Sequence, residues 1–91
     1  MAGKQPNPID ILVGRNVRLH RIAADLSEGE FARKLGISPR QVQDYENGSR
    51  RIGAAGLMRV AATLNMPILM LFEGVPTGSA GKTVTQYQSR S

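Results

Sequence analysis

Two closely spaced helix starts within residues 26–48 constrain this chain more than any other feature of its sequence. Ser27 is followed three residues later by Glu30, and Ser38 is followed three residues later by Gln41. This is the spacing of a capping box, in which the serine oxygen accepts a hydrogen bond from a backbone N–H and the longer side chain bonds back to the serine. The segment is therefore predicted to form two short helices joined by a tight turn.

The connection between these helices has the residues that a tight turn requires. Gly36 falls just past the first helix, where a left-handed backbone ends it, and Pro39 takes the first position of the second, where its missing N–H costs nothing. The apolar side chains of the segment form one face, and one of them, an alanine, is small enough for the helices to cross closely. They are Phe31, Ala32, Leu35, Ile37, Val42 and Tyr45. This arrangement is typical of a helix-turn-helix.

The pattern of the segment is S-x-x-x-F-A-x-K-L-G-I-S-P-x-Q-V-x-x-Y-E-N-G, which begins at Ser27 and ends at Gly48. With it, residues 13–73 resemble the helix-turn-helix domain of the lambda-repressor and Cro superfamily, often called Xre-like. The resemblance implies an all-α fold, a compact five-helix bundle over residues 7–73 whose third helix enters the major groove of DNA. It also implies that Arg21 of the first helix pairs with Glu46 of the third.

The first helix is predicted to begin with Asn7 as its cap and Pro8 at its first position, and to end near Ala24. Its apolar residues near one side are Val13, Val17 and Ile22. Gly14 lowers the stability of this helix by about 1 kcal/mol relative to alanine. We therefore expect the first two turns of the helix to fray.

Two more helices are predicted after residue 48. The fourth helix covers about residues 54–64, but Gly53 stands where the family often has a serine or threonine cap. Asn65 occupies the stop position of this helix, and Pro67 opens a last short helix that ends at Phe72. Because its cap is poor, the start of the fourth helix is expected to be the least stable part of the core.

The composition narrows the possible functions. The chain has 91 residues and a formal net charge of +5, which fits one small domain with a polyanionic partner. It has no cysteine and a single histidine, His20, so we expect neither disulfides nor a metal site.

No activated nucleophile or cofactor loop is recognisable, and we expect no enzyme activity and no cofactor. The first ten residues lack the apolar run of a signal peptide and no segment has the length of a membrane span, which predicts a cytoplasmic protein.

The polar side of the third helix is the predicted DNA-reading surface, since the apolar residues lie on the opposite side of a helical wheel. Its candidate residues are Ser38, Pro39, Arg40, Gln41, Gln43 and Asp44. Arg40 suits a bidentate contact with guanine, and Gln41 or Gln43 suits one with adenine. Two alternatives remain: the capping box occupies Gln41, and Arg40 pairs with Asp44 across one helical turn.

Phosphate contacts are implied by the resemblance at the start of the second helix, at the end of the third and in the basic loop that follows. The corresponding residues are Ser27, Asn47, Arg50 and Arg51. The family commonly has glutamine after the capping serine, and its amide binds phosphate, whereas this chain has Glu28, which repels a phosphate. Either Ser27 and the backbone N–H groups of the helix start take over this contact, or the approach to DNA is shifted.

The last helix contains five consecutive apolar residues, Ile68, Leu69, Met70, Leu71 and Phe72. Because a bundle of this size cannot cover every side of a surface helix, we expect this segment to form a homodimer interface. The alternative is a contact within the core of a single chain. Residues 1–6 and the polar tail 74–91, rich in Gly, Ser, Thr and Gln, are expected to be flexible.

These features predict sequence-specific binding of double-stranded DNA by a transcriptional regulator, and more specifically by a repressor that occupies an operator as a dimer. The alternative is an antitoxin, which binds a toxin protein as well as its own promoter. The polar tail motivates that alternative, because a polar segment can fold on a protein partner.

Overall fold

The computed structural model describes residues 7–74, and this part of the chain contains helices and no strands. The α-helices are α1 at Pro8–Ala23, α2 at Glu28–Leu35, α3 at Pro39–Glu46 and α4 at Ala54–Thr63, and a 3₁₀ helix follows at Ile68–Phe72. The all-α prediction is confirmed for these residues. None of these helices is both long enough and apolar enough to span a membrane.

The predicted bundle of five α-helices is not confirmed, because the last element is a 3₁₀ helix. Its first turn is closed by a hydrogen bond from the N–H of Met70 to the carbonyl oxygen of Pro67, at 3.0 Å. Such i to i+3 bonds form the tighter 3₁₀ turn, which is common in short terminal segments. The described residues therefore contain four α-helices and one 3₁₀ helix.

Side chains cap the starts of the first three helices. The N–H of Ile9 donates to Oδ1 of Asn7 at 2.7 Å, which caps α1. At the start of α2, the N–H of Glu30 donates to Oγ of Ser27 at 3.0 Å, and the N–H of Ser27 donates to the Glu30 carboxylate at 2.8 Å. The predicted capping box of α2 is thus confirmed.

The second predicted capping box is only half formed. Oγ of Ser38 accepts from the N–H of Gln41 at 3.1 Å, as expected. The Gln41 side chain, however, turns forward along α3 and donates from Nε2 to the hydroxyl oxygen of Tyr45 at 2.9 Å. The prediction that Gln41 bonds back to Ser38 is wrong, because the half-buried tyrosine hydroxyl is a competing acceptor one turn further along the same helix.

Residues in the left-handed backbone region lie where two of the helix stops were predicted. Gly36 follows α2 with a φ of 75°, and Asn65 follows α4 with a φ of 55°. The turn between α2 and α3 is therefore the predicted one. The N-cap of α4 is Gly53, and no side chain caps this helix, as predicted. The low stability expected at this helix start stays a prediction.

The core lies where α1, α2 and α3 meet α4 and the 3₁₀ helix. Its fully buried side chains are Phe31, Leu71, Val17, Val42 and Val60. The grouping of Ile22 with Val13 and Val17 is wrong, because Ile22 is 52% exposed. The buried stripe of α1 instead continues from Val17 to Arg21.

Gly14 marks a close contact between two helices rather than a simple weakness of α1. A Cβ atom at this position would lie 2.1 Å from the carbonyl oxygen of Tyr45 and 2.8 Å from that of Glu46. Only a residue without a side chain allows α1 to approach the last turn of α3 this closely. The glycine therefore brings α3 against α1, and α1 is a continuous helix around it.

Candidate nucleic-acid interface

Helix α3 has a polar side that faces solvent and an opposite, apolar side that is buried. Ser38, Pro39, Arg40 and Gln43 are exposed, and Asp44 is half-buried. On the opposite side Val42 is completely buried. The helix is thereby anchored in the core, with a row of polar side chains on its outer surface.

An ion pair with two hydrogen bonds fixes the last turn of α3 to α1. Nε of Arg21 donates to Oε2 of Glu46 at 2.6 Å, and Nη2 of Arg21 donates to Oε1 of Glu46 at 3.2 Å. Nη1 donates to the carbonyl oxygen of Leu26 at 2.7 Å, so that the loop before α2 is held as well. The hydrogen bond with Glu46 raises the pKa of Arg21 above its ordinary value. One buried guanidinium thus sets the position of α3 relative to the two helices before it.

Arg40 and Asp44 form a loose ion pair on the outer surface of α3. Nε of Arg40 lies 3.6 Å from Oδ1 of Asp44, and the Arg40 side chain is 81% exposed. An exposed pair of this kind contributes only a few tenths of a kcal/mol. The pair therefore orients Arg40 only weakly. Its guanidinium can leave Asp44 at little cost.

The structure separates Gln41 from the other predicted base-reading residues. Gln41 is half-buried, and its amide nitrogen donates to Tyr45. A contact with a base would break this hydrogen bond, whereas Gln43 on the outer surface loses no contact with the core. The structure thus leaves Ser38, Pro39, Arg40, Gln43 and Asp44 together at the surface.

The predicted phosphate-contacting residues are all exposed, but they differ in how they are held. Asn47 accepts a hydrogen bond from the N–H of Ser49 through Oδ1 at 2.9 Å, which leaves its amide NH₂ at the surface. Arg51 is tied to α1, because its Nε lies 3.2 Å from Oδ1 of Asp10. Ser27 and Arg50 complete the predicted set.

Sequence reasoning missed Arg18 as a residue of this surface. Arg18 projects from α1 into a groove of about 330 Å³ at the junction of α1, α2 and α3, and its other lining residues are Glu28, Gln43, Glu46 and Asn47. The available signal was the spacing from Arg21, since a residue three positions earlier on a helix lies on a neighbouring part of its surface. The exposed guanidinium brings a positive charge to the groove that contains Glu28.

Glu28 is part of the same groove and contacts α3 directly. Its Oε1 accepts a hydrogen bond from Nε2 of Gln43 at 3.0 Å. The sequence indicated that Glu28 would repel a phosphate but did not reveal that it bonds to the outer side of α3. The two residues are fifteen positions apart, so only the packing of α2 on α3 brings them together.

The predicted dimer interface divides into exposed and buried residues. Leu69 is 78% exposed and Met70 is 39% exposed. Ile68 and Phe72 are half-buried and pack against the core, and Leu71 is completely buried in it. The assignment of Leu71 to the interface is wrong, because its own chain already encloses this side chain.

Some of the predictions concern parts of the chain outside the described residues. These are the flexible N-terminal residues 1–6 and, from residue 75 onwards, the polar tail with its proposed protein partner. Within residues 7–74 no group of three or more His, Asp or Glu side chains is arranged to hold a metal ion.

Comparison with known proteins adds to this geometry. The helix-turn-helix family HTH_3 matches residues 17–71. This chain belongs to that family. Similar proteins include an uncharacterized HTH-type transcriptional regulator of Sinorhizobium medicae, which is 41% identical over 78 residues. That match covers 86% of this chain and 56% of the relative, so the chain spans about half the length of the relative.

Two solved structures share the fold of this HTH_3 chain. The restriction-modification controller protein C.AhdI from Aeromonas hydrophila is 26% identical, with a TM-score of 0.65, and the match covers 68% of this chain and 94% of that protein. The master regulator for biofilm formation SinR, solved in complex with DNA, is 21% identical, with a TM-score of 0.63, over 67% of this chain and 98% of the SinR chain in that structure. The chain is therefore a helix-turn-helix protein, and the relatives that it matches are named as HTH-type transcriptional regulators.

Proposed function

We propose that this HTH_3 chain binds double-stranded DNA sequence-specifically, as a dimeric repressor that acts by occupying an operator in the cytoplasm. The exposed polar side of α3 is the observation that carries this proposal. Arg40 and Gln43 stand on it without a contact to the core, while Val42 anchors the opposite side. An α-helix fits the major groove of B-DNA, where such side chains distinguish the base pairs.

Base reading is assigned to α3. Arg40 donates two hydrogen bonds to guanine, which needs only that its guanidinium leave the weak contact with Asp44. Gln43 addresses a neighbouring base pair, and Ser38 and Pro39 bring the start of the helix to the edge of the groove. Gln41 is left out of the base-reading set, because its amide is engaged by Tyr45.

Phosphate contacts flank this helix in the proposed complex. Asn47 and Arg50 lie just after α3, and Ser27 lies at the capped start of α2, where backbone N–H groups favour an anion. Arg18 adds a positive charge from α1. These contacts hold the protein in register on the duplex but carry no sequence information.

Dimerisation is assigned to the exposed side of the 3₁₀ helix. Leu69 and Met70 are the apolar side chains that this segment leaves in solvent, and a two-fold arrangement is the commonest among soluble oligomers. A two-fold dimer places two copies of α3 in successive major grooves, about 34–36 Å apart. The preferred operator is therefore a pseudo-palindrome with half-sites one helical turn apart.

The reading surface is tested by selecting bound sequences from a random pool of duplex DNA. The wild-type chain is expected to select a pseudo-palindromic sequence, and Arg40→Ala is expected to lose preference at one base pair in each half-site. Arg59→Ala removes the same charge from an exposed position on α4 and serves as the matched control. Failure of the wild type to enrich any sequence, or an unchanged selection by Arg40→Ala, would contradict the proposed reading surface.

The dimer is tested by sedimentation equilibrium of matched charge insertions. Leu69→Glu is expected to raise the dimer dissociation constant by about 10-fold or more, as for a central apolar interface residue. Met58→Glu places the same charge at a 65% exposed methionine on α4 and should leave self-association unchanged. Equal effects of the two variants would exclude the 3₁₀ helix as the interface.

The antitoxin alternative rests on the polar tail, and no contact within residues 7–74 favours it over operator binding. The proposed function requires neither a catalytic residue nor a cofactor.

A further inference from the structure

The hydrogen bond between Glu28 and Gln43 joins the start of α2 to the outer side of α3. Nε2 of Gln43 donates to Oε1 of Glu28 at 3.0 Å. Neither residue belongs to the core, since Gln43 is exposed and Glu28 half-buried. The contact is therefore made at the surface that the proposed function turns toward DNA.

The chemistry of a carboxylate determines which end of the Gln43 amide faces Glu28. An ionised carboxylate accepts hydrogen bonds and donates none, whereas the glutamine amide has one donating end and one accepting end. The NH₂ group must therefore point toward Glu28. As a consequence, the carbonyl oxygen Oε1 of Gln43 is left for a partner outside the protein.

A glutamine with a defined amide orientation selects bases more narrowly than a freely rotating one. Its carbonyl oxygen accepts from the N6 amino group of adenine or the N4 amino group of cytosine, and its second amide hydrogen can donate to N7 of adenine. A freely rotating amide can also turn its NH₂ group toward the acceptor atoms of guanine and thymine. Holding the amide thus favours adenine at the contacted position.

We propose that Glu28 is a positioning residue for base recognition, which orients the amide of Gln43 so that α3 prefers adenine at one base pair of each half-site. This inference rests on the proposed function, since it presupposes that α3 enters the major groove. Glu28 acts through Gln43 and need not touch the DNA itself.

The same carboxylate has a cost for the affinity. Glu28 brings a negative charge to a surface that meets phosphates in the proposed complex, in a groove that Arg18 also lines. Removing that charge raises the affinity for any DNA sequence, while removing the hydrogen bond lowers the discrimination between sequences. A residue with a purely structural role would not produce these two opposite effects together.

The test compares Glu28→Ala, Glu28→Gln and Gln43→Ala with the wild type. Each protein is titrated against the operator obtained by selection and against its three substitutions at the base pair where Gln43→Ala loses preference. Binding to an unrelated duplex measures the affinity that is independent of sequence. Thermal unfolding of each variant establishes that it is folded.

Glu28→Ala is expected to reduce discrimination at this base pair by about 3- to 10-fold, the net contribution of one hydrogen bond. It should bind the unrelated duplex about 2- to 5-fold more tightly, as expected for the loss of one exposed charge interaction. Glu28→Gln removes the charge but keeps an acceptor for Gln43. It should gain the same affinity and retain more discrimination than Glu28→Ala.

The double variant Glu28→Ala/Gln43→Ala should discriminate no less than Gln43→Ala alone, because Glu28 acts through the side chain that is already missing. If Glu28→Ala discriminates as well as the wild type, or if Gln43→Ala changes no base preference, the positioning role is excluded. Failure of the wild type to select any DNA sequence would instead overturn the proposed function.

Discussion

The region from Asn7 to Asn47 and the region from Gly53 to Glu73 are both helical, but they are held together by different interactions. In the first region, side chains cap every helix start, and a buried ion pair joins α1 to α3. In the second, neither α4 nor the 3₁₀ helix has a side-chain cap. The second region depends on apolar burial, above all of Val60 and Leu71, and on one buried amide.

That amide belongs to Asn16 of α1. Its Nδ2 donates to the carbonyl oxygens of Leu71 and Glu73 at 2.8 and 2.9 Å. Through these two hydrogen bonds, the Asn16 side chain links α1 in the first region to the end of the second region. Directional polar contacts are therefore concentrated around α3, the helix proposed to read DNA. The 3₁₀ helix buries Leu71 in the core and leaves Leu69 and Met70 exposed.

The largest expected effect comes from breaking the buried ion pair of the first region. Arg21→Ala or Glu46→Ala should each lower the free energy of unfolding by about 3–5 kcal/mol, because either change leaves a buried charge without its partner. Arg21→Met combined with Glu46→Leu should cost less than either single change. Urea unfolding followed by circular dichroism measures all three.

The matched control for this prediction is Arg51→Ala. It breaks the exposed pair with Asp10 and should change stability by at most about 1 kcal/mol. If the single variants at Arg21 and Glu46 are no less stable than Arg51→Ala, the ion pair does not hold the first region together.

A smaller effect is expected from adding a side chain at Gly14, where α1 contacts α3. Gly14→Ala should lower the free energy of unfolding by about 1–3 kcal/mol, because the added Cβ would overlap the carbonyl oxygen of Tyr45. This exceeds the roughly 1 kcal/mol that alanine gains in helix propensity. Gly29→Ala in α2 is the control, since its Cβ would meet nothing closer than Oγ of Ser27 at 4.0 Å. Equal stability of the two variants would show that the close contact is not required.

The loss of one cap in the first region should cost less again. Ser27→Ala is expected to destabilise the protein by about 1 kcal/mol, because Oγ no longer accepts from the N–H of Glu30. Thermal unfolding against the wild type measures this difference. A variant with an unchanged midpoint would mean that the cap is dispensable.

The same capping box predicts a dependence on pH. The hydrogen bond from the backbone N–H of Ser27 lowers the pKa of Glu30 below its ordinary value of 4.5. A group with a lowered pKa stabilises the folded state above its ordinary pKa, and this stabilisation is lost as the pH falls through the lowered value. Unfolding measured from pH 6 down to acid should therefore show a loss of stability in the wild type that is smaller in Glu30→Gln.

The smallest expected effect adds a cap to the second region. Gly53→Ser should stabilise the protein by only a few tenths of a kcal/mol, because glycine is already an acceptable N-cap residue. The position has a β-region backbone with a φ of −71°, which serine adopts without strain. Hydrogen exchange of the first turn of α4 should slow in this variant, and faster exchange would show that the start of α4 is limited by something other than its cap.

The boundaries of the helices could be predicted from the sequence better than the contacts between helices. Capping and turn formation involve residues within a few positions of each other, so Ser27, Gly36 and Asn65 indicated the helix boundaries directly. The predicted bond from Gln41 back to Ser38 was wrong, because Gln41 has an alternative acceptor in the hydroxyl of Tyr45. The position of that hydroxyl depends on how α3 packs. The grouping of Ile22 with the buried valines of α1 was also wrong, since a helical wheel does not show where a neighbouring helix lies.

The short capped helices and the helix-turn-helix could be predicted from the order of the residues alone, because caps and turns depend on residues that are close together along the chain. Three features became visible only in the folded chain. Gly14 lets the last turn of α3 approach α1, Leu71 belongs to the core while Leu69 does not, and Glu28 bonds to Gln43. Each of these outcomes depends on side chains or backbone atoms that are distant along the chain. Only the packing of one helix on another brings them within contact distance.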